Sequence, residues 1–300
     1  MRKLVFVAII ILVVMYVFRN CDSDETTTTD QPTQPTVDYA SKTSTDGVKT
    51  TYAVIVGVGN YLNSSPQTIA DLPLTANDGQ LFYQFLTSPV GGSVPANNIS
   101  FLTGTNASHD NILSEMARLY QNADADDRII FFFAGHGNTG LFCPYDVVGN
   151  DGQHPLLHSE VKAMFKQSKA STKWCIADAC HSASIKAPNS TNQGDGSSNT
   201  MQAGEGVIVM MAAKPDEYSW DDKRLGNGVF TYFLVKGLNG AADENQDRDI
   251  SVKELYMYVR RNVKGYVSQN MINPETNQPA VQIPVTFGKF NPDMPISHVY

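Results

Sequence analysis

The residues of this chain best suited to chemistry are a histidine and a cysteine, and each follows its own apolar segment. His136 lies between two glycines, directly after the apolar residues 129–134. Cys180 closes a second such segment, residues 173–179. A cysteine thiolate is a strong nucleophile, and an imidazole takes up or releases a proton near neutral pH. Together the two groups could attack a carbonyl carbon and cleave an acyl bond.

Both apolar segments have the length and the flanking turn residues of strands that are buried on both faces. In an open parallel sheet, reactive groups collect just beyond the carboxyl ends of such strands. We therefore expect His136 and Cys180 to lie side by side at one edge of a sheet. Each residue also has a simpler interpretation: His136 as a capping or core histidine, and Cys180 as a small buried hydrophobic residue.

The rest of the chain predicts strands that alternate with helices. Ser108 precedes one helical pattern and is its predicted N-terminal cap. This alternation predicts an α/β fold with a largely parallel sheet. The further predicted strands are residues 52–57, 99–102, 207–212 and 281–287, and the predicted helices are residues 74–87, 108–121, 159–167, 227–238 and 251–263.

The net charge argues against one class of partner, and the cysteines argue against disulfides and a metal site. The formal charge of −8 at pH 7 argues against a nucleic-acid partner, because such proteins present a basic face. An acidic surface suits cationic peptides instead. The four cysteines are too few for a disulfide framework and lack the spacing of a metal site, so we expect free thiols.

Two short segments carry a family resemblance. Residues 131–137, Phe-Phe-Phe-Ala-Gly-His-Gly, and residues 178–182, Asp-Ala-Cys-His-Ser, resemble the two catalytic blocks of caspase-like cysteine peptidases, in particular the metacaspase and orthocaspase branch. Asp178 stands where true caspases have glutamine. The resemblance covers about residues 51–288, although Thr75 and Ala134 depart from the usual pattern of the branch. It implies a caspase-like sandwich: a central, mostly parallel sheet of about six strands flanked by helices.

The resemblance also implies roles for individual residues. Cys180 would be the nucleophile and His136 the general acid that protonates the leaving amine. The backbone N–H groups of Gly137 and Cys180 would stabilise the oxyanion, and no cofactor would be required. His181, the residue after the nucleophile in the family block, would be structural. The position of Cys175 in the middle of a predicted strand indicates a core residue. A catalytically silent binding module and a different hydrolase with the same dyad are the alternatives.

In the metacaspase branch, acidic residues line the pocket for the residue before the cut. The matching positions are Asp78 and Asp178, and a partly desolvated carboxylate pair can bind Arg or Lys through charge-assisted hydrogen bonds. We therefore expect cleavage of peptides or proteins after basic residues. The alternative for Asp78 is that it caps or braces its helix.

Two polar segments suggest regulation. Residues 187–205 form a long polar loop after the nucleophile, and Lys186 at its start is a candidate site of self-cleavage. Lys42 and Lys49 are the other candidate sites. Residues 243–254 have oxygen ligands at calcium-loop spacing, but Arg248 stands where glycine is needed. Calcium is thus possible here, and an acidic helix N-terminus explains the carboxylates equally well.

The two ends of the chain differ from the middle. Arg2 and Lys3 precede an apolar run at residues 4–18, which is typical of a signal peptide or a short membrane anchor. A buried helix is the other interpretation. The basic start predicts that the following chain is exported or tethered on the non-cytoplasmic side. The expected regions are the signal or anchor at 1–21, a disordered polar linker at 22–49, the peptidase domain at 50–290 and a C-terminal tail at 291–300.

Overall fold

The structure, a computed structural model, describes residues 48–65, 69–148, 154–179 and 206–300. The strands in these ranges are β1 (Thr51–Gly57), β2 (Ile99–Thr103), β3 (Arg128–Ala134), β4 (Gly137–Asn138), β5 (Leu141–Phe142), β6 (Leu156–Leu157), β7 (Thr172–Asp178), β8 (Val207–Met211), β9 (Asp221–Asp222), β10 (Asn227–Gly228), β11 (Asp249–Ser251), β12 (Val285–Lys289) and β13 (Pro295–His298). The α-helices are α1 (Thr75–Thr87), α2 (His109–Tyr120), α3 (His158–Gln167), α4 (Val229–Lys236) and α5 (Val252–Asn270).

The core of the fold is a six-stranded sheet in the order β12-β8-β7-β3-β1-β2. Strand β12 is antiparallel to β8, and every other neighbouring pair is parallel. Parallel strands require crossover connections, and helix α1 follows β1, α2 follows β2 and α3 lies between β3 and β7. The predicted α/β fold with a central, mostly parallel sheet is confirmed.

Both faces of the sheet are covered, and this explains the unbroken apolar run in β3. Phe131 and Phe133 belong to the cluster that includes residues of α2 and α3. Ile130 and Phe132 belong to the cluster on the other face, with residues of α1, α4 and α5. Successive strand residues point to opposite faces, so a strand covered on both sides must be apolar at every position.

Three elements differ in extent from the sequence expectation. Helix α5 continues to Asn270, well past residue 263. The last strand of the sheet begins at Val285 rather than at residue 281, because Pro284 has no N–H to donate to the ladder. Within the segment expected to be a C-terminal tail, β13 pairs with β11.

The predicted cap of α2 is also different. Ser108 occupies the N-cap position, but its side chain makes no capping hydrogen bond. The first helical N–H, that of His109, instead donates to Oδ1 of Asp146 over 2.9 Å. Ser108 is thus the N-cap residue by position, as predicted, but the side-chain hydrogen bond expected of a cap is absent.

Candidate active site

The two strands that lead to the predicted dyad are neighbours. Strands β3 and β7 run parallel, with Ala134 opposite Asp178. The Gly135 N–H donates to the Asp178 carbonyl over 3.2 Å, so the two segments stay in contact at the carboxyl end of the sheet. His136 and Cys180 each follow their member of that pair by two positions in the sequence. Cys180 itself lies outside the described residues, as do His181, Lys186, Lys42 and the loop 187–205.

Two hydrogen bonds fix the backbone N–H and the ring of His136. Its backbone N–H donates to Oη of Tyr61 over 2.8 Å, and its ring Nε2 lies 2.8 Å from the carbonyl oxygen of Ala70. A carbonyl oxygen only accepts, so Nε2 carries the hydrogen and Nδ1 of the neutral ring is left as an acceptor. Burial lowers the pKa of His136 below its ordinary value, and the hydrogen bond to Ala70 opposes this shift. The ring is therefore neutral at pH 7 and able to take up a proton at Nδ1.

Sequence reasoning missed both residues that hold His136. Tyr61 is buried, its ring centroid lies 5.3 Å from that of His136, and its own N–H donates to Oδ1 of Asp71 over 3.0 Å. Ala70 contributes only its backbone carbonyl, and the type of a residue does not predict such a contact. A buried tyrosine in the turn after β1 is the one signal that could have pointed to this contact.

Gly137 begins a small antiparallel sheet directly after His136. It is half-buried and lies opposite Phe142 in the pairing of β4 with β5. The carbonyl oxygen of His136 accepts the Cys143 N–H over 2.9 Å, which ties this turn to β5. The role of the Gly137 N–H toward an oxyanion stays a prediction.

Asp178, the last residue of β7, is buried and accepts three hydrogen bonds. Its Oδ1 accepts from Oγ of Ser219 over 2.5 Å. Its Oδ2 accepts from the N–H and the hydroxyl of Thr231, over 3.1 and 2.7 Å. Thr231 lies in the first turn of α4, where the helix dipole also favours a negative charge.

Asp78 lies in α1 and is almost fully buried, with 1% of its surface exposed. The helix lies close to the sheet because Gly79 has no side chain: a Cβ there would lie 2.5 Å from the ring of Phe101. Oδ1 of Asp78 accepts from Nδ2 of Asn227 and from the N–H of Gly228, each over 2.9 Å. Its Oδ2 has no hydrogen-bond partner. The brace expected as the alternative role is present, and one buried oxygen is left over.

The two carboxylates meet at Gly228. A Cβ built on this glycine would lie 2.5 Å from Oδ2 of Asp178 and 3.1 Å from Oδ2 of Asp78. Burial, and then the charge of Asp178, raises the pKa of Asp78 well above its ordinary value. Burial also raises the pKa of Asp178, against the hydrogen bonds from Ser219 and Thr231. Two such carboxylates are stabilised in their charged form when a cation binds between them. The structure thus brings together the two acidic residues predicted from the sequence.

Gln282 fixes the loop that carries Ser219. Its side chain is fully buried; Nε2 donates to the Ala212 carbonyl and to Oγ of Ser219, each over 3.1 Å. Its Oε1 accepts the Trp220 N–H over 3.1 Å. Ser219, Thr231 and Gln282 were all missed, because polar residues of these types are common on any surface.

The structure of the loop at residues 243–254 neither confirms nor contradicts the prediction of calcium binding. Arg248, which stands where glycine was thought necessary, does adopt the left-handed backbone conformation, with a φ of 72°. Two of the loop's carboxylates have partners: Oδ2 of Asp243 accepts the Arg248 N–H, and Oδ1 of Asp249 lies 2.7 Å from Nδ1 of His298 in β13. In the parts of the chain that the structure describes, no group of three or more His, Cys, Asp or Glu side chains is arranged to hold a metal ion.

The described cysteines are free, as expected. Cys143 and Cys175 are both buried, and burial raises the pKa of their thiols to about 11 and to about 12. Such thiols remain protonated and unreactive at neutral pH. No helix within the described ranges is long and apolar enough to cross a membrane, and the apolar run at residues 4–18 lies outside those ranges.

Comparison with known proteins agrees with this architecture. The family model described as the caspase domain matches residues 50–288 of the chain. Among solved structures, the crystal structure of caspase-1 from Spodoptera frugiperda is similar, with a TM-score of 0.61 and 13% sequence identity over 85% of this chain and 94% of that one. At this identity the similarity shows a shared fold. Comparison with the curated proteins gave no match.

Proposed function

The chain belongs to the caspase-domain family of cysteine-type endopeptidases, and we propose that it cleaves peptide bonds after Arg or Lys with Cys180 and His136 as its dyad. One observation carries this proposal: parallel neighbours β3 and β7, in the register of Ala134 with Asp178, lead directly to the histidine and the cysteine. Asp178 belongs to the same strand end, so the acidic pocket and the nucleophile are adjacent in sequence.

The proposed reaction begins with the thiol of Cys180 losing its proton to Nδ1 of His136. The thiolate attacks the carbonyl carbon before the scissile bond, and the tetrahedral oxyanion accepts hydrogen bonds from the N–H groups of Gly137 and Cys180. Each such donor is typically worth about 3–4 kcal/mol in the transition state. His136 then protonates the leaving amine, and water hydrolyses the thioester to release the acid and restore the thiol.

The specificity is proposed from the carboxylate pair. Oδ2 of Asp78 and Oδ2 of Asp178 both lie next to Gly228, which has no side chain to separate them, and Oδ2 of Asp78 has no partner of its own. A guanidinium or ammonium group placed there would pair with both. The same acidic pocket supports assignment to the metacaspase branch, since the residue before the cut would be basic.

A panel of fluorogenic peptides that end in Arg, Lys, Asp or Gln tests the proposal. The wild-type chain under reducing conditions should turn over the Arg and Lys peptides only. Cys180→Ala and His136→Ala should abolish turnover, and Cys143→Ala serves as the matched thiol control that keeps it. Iodoacetamide should label Cys180 and leave Cys143 and Cys175 unmodified in the folded protein.

The same panel distinguishes the alternatives. Absence of turnover by the wild type, with and without calcium, favours a catalytically silent binding module. Turnover that survives in Cys180→Ala contradicts the dyad and favours a different hydrolase mechanism. Cleavage after Asp instead of Arg contradicts the assignment of Asp78 and Asp178 to a basic pocket.

Self-processing is part of the proposal, with Lys186 as the first site. Lys49 is a weaker candidate, because its N–H donates to the Asp126 carbonyl over 2.9 Å and its ammonium lies 3.9 Å from the Asp126 carboxylate. Incubation of wild-type protein followed by mapping of new termini tests this. New termini after Lys186 in the wild type but not in Cys180→Ala are expected, and an intact chain in an active preparation contradicts self-cleavage.

We also propose export or membrane tethering through residues 4–18, on the evidence of the basic start and the apolar run. Fractionation of cells that express the whole chain, compared with a chain lacking residues 2–19, should show the difference. Catalysis needs no cofactor, and calcium stays a prediction for the loop at residues 243–254, which calorimetry with calcium tests.

A further inference from the structure

A two-stranded hairpin carries a third carboxylate toward the acidic pocket. Strand β9 pairs antiparallel with β10, and Asp221 lies directly opposite Gly228. Residues directly opposite each other in an antiparallel pair project from the same face. The Cβ direction of Gly228 points at Oδ2 of Asp178 and Oδ2 of Asp78. Asp221 therefore extends from the face of the hairpin that looks onto these two carboxylates.

Asp222, the next residue along the strand, has hydrogen-bond partners of a kind that Asp221 does not have. Asp222 extends from the opposite face of β9, where its Oδ2 accepts from Nη2 of Arg224 and from Oη of Tyr266, each over 2.6 Å. Asp221 is an exposed residue, and within the described ranges its carboxylate forms neither a hydrogen bond nor an ion pair. One carboxylate of the Asp-Asp pair thus stabilises the fold, and the other is available for a ligand.

The charges of the three carboxylates influence one another. The charge of Asp221 contributes to the raised pKa of Asp78. Displacement of water by the surrounding protein, and then the charge of Asp178, raises the pKa of Asp221 to about 7. No lysine or arginine of the described part of the chain forms an ion pair with Asp78, Asp178 or Asp221. The three carboxyl groups disfavour one another's charged forms, and a cation that binds among them would stabilise those charged forms.

We propose that Asp221 is a specificity-determining residue at the entrance of the pocket, where it binds the cationic side chain that reaches Asp78 and Asp178. This rests on the proposed function, since it assigns the basic residue before the cut to the space over Gly228. Arginine suits this arrangement, because its planar guanidinium has N–H groups on several edges and can donate to more than one carboxylate at once.

The test replaces the carboxylate of Asp221 by an amide, which has the same shape and no charge. Asp221→Asn is compared with Asp216→Asn, which removes one negative charge at an exposed position in the loop that leads into β9. With an Arg-ending fluorogenic peptide, Asp221→Asn should raise KM about three- to fivefold, as expected for an accessible ion pair, with kcat within twofold of wild type. Asp216→Asn should leave both constants within twofold.

A binding measurement separates this inference from the proposed function. The fluorescent cation p-aminobenzamidine is titrated into Cys180→Ala protein with and without Asp221→Asn, so no turnover is required. A rise in Kd of about three- to fivefold on addition of Asp221→Asn, the size expected for loss of an accessible ion pair, supports the role of Asp221. Equal Kd values overturn it, even if the wild type cleaves after Arg. A wild type that shows no preference for Arg or Lys overturns the proposed function, and the probe titration still decides the role of Asp221.

Discussion

Replacement of Gly228 by alanine is the most direct test of the acidic pocket. The added Cβ would lie 2.5 Å from Oδ2 of Asp178 and 3.1 Å from Oδ2 of Asp78, whereas ordinary contacts begin at 3.4 Å. The backbone of Gly228 has a φ of −58°, so alanine meets no backbone strain there. The effect of Gly228→Ala is therefore confined to the space between the two carboxylates.

The size of the effect follows from these distances. The Asp178 carboxylate must move by about 0.9 Å to reach an ordinary contact distance. That movement lengthens or breaks its hydrogen bonds from the N–H and hydroxyl of Thr231, now 3.1 and 2.7 Å long. A misplacement of about 1 Å in a positioned group can lower the rate about 100-fold. We expect kcat/KM for an Arg-ending peptide to fall by this factor, which corresponds to about 2.7 kcal/mol of transition-state stabilisation.

The assay is kcat/KM on the Arg-ending peptide, with urea unfolding of each variant to show that it is folded. Gly265→Ala is the matched control, because its Cβ would meet no atom within 4 Å. It lies inside α5 and should keep full activity and gain up to about 1 kcal/mol of stability from the better helix former. A folded Gly228→Ala protein with kcat/KM within threefold of wild type would refute the placement of the basic side chain over Gly228.

Three further outcomes follow from other contacts. Burial lowers the pKa of His158 to about 3, so the folded state favours the neutral ring, and stability is lost as the pH falls from about 6.5. Compared with His158→Phe, in which the other titrating groups are unchanged, the wild type should lose about 2 kcal/mol more between pH 7.5 and pH 5 in urea unfolding. Tyr61→Phe deletes the acceptor of the His136 N–H and should lower kcat about tenfold at unchanged KM, measured on the Arg peptide. Ser219→Ala deletes a donor to Asp178 and should raise KM about tenfold, with the pH dependence of KM shifted upward; an unshifted profile contradicts the contact.

Much of the site was predictable because its key residues follow strands that are recognisable locally. An apolar run buried on both faces and ending in glycine has few other interpretations. Neighbouring parallel strands end at the same edge of the sheet, and the structure confirms that the two apolar runs form the neighbouring strands β3 and β7. That His136 and Cys180 then lie side by side stays a prediction, because Cys180 is outside the described residues. The roles of Asp78 and Asp178 required the family resemblance, since an isolated aspartate carries no such signal.

The partners of these residues could not be predicted, because they depend on packing between distant segments. The Ala70 carbonyl that orients His136 is 66 residues away from it, and Gly228, which donates to Asp78, is 150 residues away. A backbone group has the same chemistry in every residue, so no pattern distinguishes the one that is used.

Amino-acid order alone determined the main strands of the sheet and their alternation with helices, since these depend on the local pattern of apolar residues. Only the tertiary structure decided what surrounds them. Asp221 and Asp222 are adjacent and chemically identical, yet Asp222 binds Arg224 and Tyr266, and Asp221 extends toward Asp178. The physical reason is that successive strand residues point to opposite faces, and the three-dimensional fold sets what each face meets.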